Sequence, residues 1–235
     1  MRDDAVHLRG RLVDRYMQAL ADHLTPELRQ DTTLSGIFLP DVFDEYLNAP
    51  LGLRVMLVGK ETKGWFKGMA HLRTFPRLDG YVQAAMTNWR DIDRVPPGRS
   101  KFGQFRRKLD AQLSAQAGPP VRHHWSNLFC LDHKDHAPAH HPHVDAIVAL
   151  SKALFKAQLD VLKPDVLLFT TGVGSTSYDS HIKHMLNVTH SSVGTDRHMP
   201  KQLWSFQADG IRALRTAHPR YAPGEAGRQQ ALKQL

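Results

Sequence analysis

Glu61 stands just beyond a continuous, apolar and mostly branched run, Val55-Met56-Leu57-Val58. Such a run suits a strand buried on both faces of a parallel sheet. It stops at Gly59, and Lys60, Glu61, Thr62, Lys63, Gly64 and Trp65 follow, all polar, small or aromatic. A buried strand that ends in glycine and then presents a carboxylate can build a site at the carboxyl edge of a sheet, where ligands bind in open α/β folds. Two further strand ends carry chemistry. Asn127 lies in the candidate strand Val121–Phe129, and His218-Pro219 follows the candidate strand Ile211–Thr216. If the sheet is parallel, all three positions open onto one edge. A carboxylate can direct water, an imidazole can donate a proton, and an amide carries both a donor and an acceptor. Each also has a plain structural reading: a solvated Glu in a turn, an Asn bonding strand-end backbone, a turn His fixed by the Pro after it.

The elements that must hold these residues alternate between strand and helix. Ala5–His23 reads as an amphipathic helix, with Leu8, Leu12, Tyr16, Ala19 and Leu20 at spacings of three and four. Thr25-Pro26 reads as a cap with proline at the first helical position. Pro40–Leu47 suggests a short helix. The stretch from Trp65 to Leu78 has no period and reads as a long, functional loop over the strand ends. Helical patterns resume at Tyr81–Ile92, Phe102–Ala117 and Val144–Leu162, and a short C-terminal helix is expected from Gly224. Asp165–Thr170 is the third strand, and Val188–Val193 with Gln202–Gln207 suggests a hairpin. This alternation predicts an α/β fold, a three-layer α/β/α sandwich with a central, mostly parallel four-stranded sheet.

Composition narrows the partners. The 235 residues are 41% hydrophobic, enough for one good core and a single domain, 1–235, with residues 1–50 as a helical segment packed on it. The formal charge of +8 and a pI near 9.7 favour a polyanion, with nucleic acid ahead of an acidic membrane surface. No apolar window is long enough for a transmembrane helix, and Met1-Arg-Asp-Asp leads into an amphipathic segment, not an apolar signal core. One cysteine, Cys130, excludes an internal disulfide and a four-cysteine cluster, and fits a reducing, cytoplasmic setting.

The three stretches together resemble the motifs of the uracil-DNA glycosylase superfamily. There a strand runs into Gly-Gln-Asp-Pro-Tyr; the aligned residues here are Gly59, Lys60, Glu61, Thr62 and Lys63. Trp125-Ser126-Asn127-Leu128 resembles the second element and His218-Pro219 the third, so the resemblance spans roughly residues 53–221. It implies a monomeric DNA glycosylase that flips out a base and needs no cofactor and no metal. Glu61 would direct the water, Asn127 would read the base's pairing edge, and His218 would support the leaving base. Lys63, Gly64, Trp65 and Phe75 complete the expected base-binding set. Lys60, Arg99, Lys101, Ser175, Arg220 and Tyr221 are the expected DNA contacts. The departures matter. Glu replaces Asp, and Lys63 beside Gly64 replaces the Tyr that excludes carbon-5 substituents in uracil enzymes. That opening implies a 5-substituted pyrimidine, such as glucosylated hydroxymethylcytosine of phage DNA, with Trp65 or Phe66 as side chains able to close the same space. Arg220 and Tyr221 stand where the family carries small residues and an intercalating leucine.

Other readings stay open beside this one: an ordinary uracil-DNA glycosylase of base-excision repair, or a catalytically silent nucleic-acid-binding relative. Gly172-Val-Gly-Ser-Thr-Ser177 lacks the Gly-Lys-Ser/Thr of a Walker loop, yet could hold a phosphate at a helix start through backbone N–H groups and Ser175. A small-molecule enzyme could use that turn for a nucleotide. His123, His124, His133, His136, His140, His141 and His143 crowd one region, where histidine with Asp132 or Asp135 would suit zinc in a hydrolase; a mobile DNA-facing loop is the other reading.

Overall fold

The computed structural model describes residues 4–50, 52–95, 100–172, 178–188, 193–195, 199 and 202–235. In chain order its helices are α1 (Ala5–His23), α2 (Pro26–Gln30), α3 (Asp44–Leu47), α4 (Leu78–Arg94), α5 (Lys101–Ala117), α6 (Val144–Leu162), α7 (Tyr178–Leu186) and α8 (Glu225–Lys233). The strands are β1 (Val55–Gly59), β2 (His124–Asn127), β3 (Val166–Phe169), β4 (Val193–Thr195), β5 (Leu203–Ala208) and β6 (Ile211–Thr216). They form an α/β fold with helices against a mostly parallel sheet. The chain divides into two compact units whose segments interleave: Met1–Val42, Lys60–Val95 and Asn127–Lys163 make the first, and Phe43–Gly59, Pro96–Ser126 and Pro164–Leu235 the second. Among the described residues no helix is long and apolar enough to cross a membrane.

The second unit holds the sheet, ordered β2-β1-β3-β6-β5-β4. β1 and β6 both pair parallel with β3. Their runs, VMLVG and VLLF in β1 and β3, are buried at every position, as central parallel strands require. Val55 and Leu57 of β1, Val166 and Leu168 of β3 and Leu214 of β6 pack with Phe105, Leu109 and Leu113 of α5 and with Ala231 and Leu232 of α8. The α5 residues fall at i, i+4 and i+8, one stripe of the helix. Met56, Val58, Leu167 and Phe169, at the alternate positions, are also fully buried.

Among the described residues the sheet has six strands, where the strand–helix alternation predicts a central four. The difference is the antiparallel edge, in which β5 pairs with β6 and β4 with β5. Ala208 pairs with Ile211, so Asp209-Gly210 is the whole β5–β6 turn, and its φ angles of 49° and 77° are both left-handed. Such a two-residue turn matches the twist of its strands and obliges β5 to run antiparallel to β6.

The first unit is helical. α1 buries Leu8, Leu12, Tyr16, Ala19 and Leu20 and packs against α6 and α4. Asp4 caps α1 by accepting from His7 N–H at 2.7 Å, and Thr25 caps α2, whose first residue is Pro26. Leu34 to Val42 runs without helix, largely buried, and its backbone ties distant pieces together. Gly36 N–H donates to Trp65 O at 2.7 Å, Ser35 N–H to Asp132 O at 2.9 Å, and Phe38 N–H to Cys130 O at 2.8 Å.

Candidate functional site

Glu61 lies in the first unit, two residues past the end of β1. The preceding carbonyl, Lys60 O, accepts from Phe129 N–H at 2.8 Å. That bond lays the stretch carrying Glu61 beside the one that leaves Asn127, the last residue of β2. Glu61 is half-buried, and its Oε2 is out of solvent with no hydrogen-bond partner in the protein. Burial pushes its carboxyl above the ordinary range; Lys60 opposes this, Asp132 adds to it, and Lys63 and His136 oppose it. A buried acceptor left unsatisfied is costly, and such groups concentrate where a ligand or water completes them. Asn127 is 6% exposed, with its amide Nδ2 buried.

The loop after Glu61 is organised by Asp132, 1% exposed. Its Oδ2 accepts from Thr62 Oγ1 at 2.6 Å and Gly64 N–H at 3.0 Å, and its Oδ1 from Asp135 N–H at 3.0 Å. Ser35 Oγ accepts from Asp132 N–H at 2.9 Å and lies 3.3 Å from Thr62 Oγ1. In the sequence Asp132 stands out only as a candidate metal ligand, and Ser35 does not stand out at all. Their part is to set the course of Thr62-Lys63-Gly64, and only the three-dimensional proximity of three distant segments reveals it.

Gly64 has φ +61°, and a Cβ there would lie 3.0 Å from Asp135 Oδ1. The space beside Gly64 is therefore edged by a carboxylate, while Lys63 is exposed. Trp65 is 7% exposed, edge-on to Phe38 at 4.9 Å. Phe66, with φ 48° despite its side chain, lies 5.0 Å from His71 and 5.4 Å from Tyr81. Phe75, half-buried, joins the same group, 5.1 Å from His71 and 5.5 Å from Tyr81. Phe66, His71 and Phe75 thus form a partly exposed aromatic patch. For a bulky side chain the left-handed region costs backbone strain.

In the second unit, His218 follows β6 by two residues. Because β1 and β6 both run parallel to β3, their carboxyl ends share one edge of the sheet. His218 is half-buried, and Phe102 of α5 stacks on its ring at 6.2 Å with 10° between planes. Nδ1 accepts from Arg220 N–H at 3.2 Å, so the neutral ring carries its proton on Nε2. Tyr221 N–H donates to His218 O at 2.8 Å, closing the turn. Of the expected DNA contacts, Lys101, Arg220 and Tyr221 are exposed and Lys60 is half-buried. Arg99 and Ser175 lie outside the described residues, as does most of the Gly172–Ser177 turn.

The histidine-rich stretch is held by contacts within the protein, with the His141 ring 4.9 Å from that of His133 and 5.7 Å from that of His143. His123 is buried, its Nδ1 2.6 Å from Asp110 Oδ1 and its Nε2 accepting from Arg106 Nε at 3.1 Å. His141 Nε2 lies 2.8 Å from Asp31 Oδ2, and its Nδ1 accepts from His143 N–H. Among the described residues no three His, Cys, Asp or Glu side chains are grouped to hold a metal ion. No protein-family model matches the chain, and comparison with curated proteins finds no match.

Proposed function

We propose that the chain is a DNA glycosylase, hydrolysing the N-glycosidic bond of a non-standard pyrimidine and leaving an abasic site. The observation that carries this reading is the half-buried Glu61 carboxylate, one oxygen unspent on protein, at the end of a buried strand. The order along the chain supports it: carboxylate after β1, amide at the end of β2, His-Pro after β6. In the reaction so read, the carbon–nitrogen bond breaks with its electron pair leaving on the base. Glu61 stabilises the positive charge on the sugar and takes a proton from the attacking water. The Nε2–H of His218 donates to a carbonyl oxygen of the departing base. Asn127 pairs with the edge of the flipped base. The net charge of +8 suits a DNA backbone.

The narrower proposal concerns carbon 5 of the pyrimidine. Lys63 offers three N–H donors, and Asp135 beside Gly64 offers an acceptor, so a polar substituent finds partners of both kinds. A hydroxymethyl or glucosylated hydroxymethyl group has that chemistry, and its removal would act against phage DNA. Two duplexes that differ only in uracil or 5-hydroxymethyl pyrimidine test it, with alkali-labile breaks counted. The substituted base should be cut faster, and Lys63→Tyr should lower that rate more than the rate on uracil. Cutting of the uracil duplex alone by the wild type removes the substituent from the proposal and leaves an ordinary uracil enzyme.

Affinity for undamaged DNA should fall steeply with salt, each phosphate contact adding roughly 0.7–0.9 to the slope of log affinity against log salt. Lys101→Ala and Arg220→Ala should each lower that slope by about one contact's share. A flat salt dependence in a fluorescence-anisotropy titration would point to a small-molecule substrate.

A further inference from the structure

Arg228, on α8, is 3% exposed. Its Nη1 donates to two main-chain carbonyls, His218 at 3.1 Å and Tyr221 at 3.0 Å, and its Nη2 donates to Glu225 Oε2 at 2.6 Å. The two carbonyls bracket the turn His218-Pro219-Arg220-Tyr221. Helix α8 can lie this close only because two of its contacts are glycine. A Cβ at Gly224 would stand 2.1 Å from the Cβ of Ala217, the residue before His218, and one at Gly227 would stand 2.8 Å from Gln202 O. The imidazole has its own support. Phe102 lies flat against it, and Phe102 in turn meets Trp125 at 5.9 Å, over which the Arg106 guanidinium sits at 4.8 Å.

We infer that Arg228 and Phe102 are positioning residues for His218. Arg228 clamps the backbone that carries the ring, and Phe102 fixes the plane of the ring, so that the Nε2–H bond points in one direction. The guanidinium suits this task because its rigid fork reaches two carbonyls and a carboxylate at once. A buried arginine spent on loop carbonyls costs desolvation that an apolar residue packing α8 onto the sheet would avoid. Holding a donor within a small angular range is what a preorganised site requires. This inference rests on the role proposed for His218, and it makes the C-terminal helix part of the reaction apparatus.

The test combines single-turnover base excision with NMR of the imidazole nitrogens. The full-length chain is compared with Arg228→Met, Arg228→Lys, Phe102→Leu and His218→Gln, and with Arg228→Met combined with His218→Gln. Arg228→Met and Phe102→Leu should each slow excision roughly tenfold or more, with DNA affinity held within about twofold. Arg228→Lys, whose ammonium can still donate to the turn carbonyls, should recover part of the loss. With His218 already replaced, Arg228→Met should cost almost nothing further, because the two act as one unit. In the free protein, His218 should show the Nε2-protonated tautomer, and Arg228→Met should mix it with the other. The same multiplicative loss with and without His218, or an imidazole signal untouched by both Arg228→Met and Phe102→Leu, would overturn the inference. If the wild type excises no base, the glycosylase reading falls, and the tautomer measurement still decides whether Arg228 sets the ring. Should Arg228→Met fail to fold, Phe102→Leu and Glu225→Gln, which takes the charge from the Nη2 partner and leaves both carbonyl bonds in place, carry the same two readouts.

Discussion

Glu61→Gln should lower the excision rate by roughly 100-fold or more, about 2.7 kcal/mol of barrier, while DNA affinity stays near that of the wild type. The amide keeps the size of the side chain but cannot take a proton or carry the charge that stabilises the sugar cation. Stability should move the other way. Burial raises the Glu61 carboxyl above its ordinary range, so the folded state binds the proton more tightly than the unfolded state. The sign follows: ionising Glu61 weakens the fold, and that loss grows as pH climbs from the ordinary carboxyl range through the raised one. A neutral glutamine escapes it. Glu61→Gln should therefore melt at or above the wild-type temperature at pH 7, and the difference should shrink as the pH is lowered toward 4. A melting temperature below wild type at pH 7 would make Glu61 a structural residue.

Asp41→Ala should destabilise the chain by about 3–5 kcal/mol, a large part of the stability of an ordinary domain. The Asp41 side chain is wholly buried. It pairs with Arg9 Nη2 at 2.8 Å and with Arg90, and its Oδ1 also accepts from Val42 N–H at 2.8 Å. Tyr16 OH donates to the neighbouring Pro40 O at 2.9 Å, so α1, the extended 34–42 stretch and α4 meet at this point. Alanine would strand two guanidinium groups and a backbone donor in one step. Asp41→Asn, which keeps an acceptor for Val42, should cost less. Denaturant midpoints at unchanged slope would measure both. A loss under 1 kcal/mol for Asp41→Ala would show that Arg9 and Arg90 find water instead.

What the sequence made legible follows the range of each signal. Helices α1 and α6 have the bounds that their apolar spacing predicts, because that stripe is local and long. β1 and β3 were equally plain, short apolar runs stopped by polar or small residues. The hairpin expected from Val188–Val193 and Gln202–Gln207 has its counterpart in the antiparallel pairing of β4 with β5, with residues 189–192 outside the described residues. The pairing of β5 with β6 through the Asp209-Gly210 turn is what the pattern of Ile211–Thr216, the expected fourth sheet strand, leaves out. The stretch from Trp65 to Leu78, expected as loop, contains 3₁₀ turns at Trp65–Lys67 and Met69–Thr74. Their glycines and aromatic residues obey no long period, which hides such turns from pattern reading. The Asp132 clamp and the Arg228 clamp were invisible for another reason. Each joins side chains and carbonyls whose meeting depends on the finished fold, and nothing beside Asp132 or Arg228 in the chain announces it.

Release of a free base separates a glycosylase from a protein that only binds DNA. A duplex carrying a single 5-hydroxymethyl pyrimidine, and its uracil counterpart, are incubated with the wild type and with Glu61→Gln. Free base is then quantified by mass spectrometry and abasic sites by alkaline cleavage. The wild type should yield base and abasic site in equal amounts in the presence of EDTA, and Glu61→Gln almost none. DNA that is bound but stays intact with the wild type, or base released equally by Glu61→Gln, would contradict the proposed function.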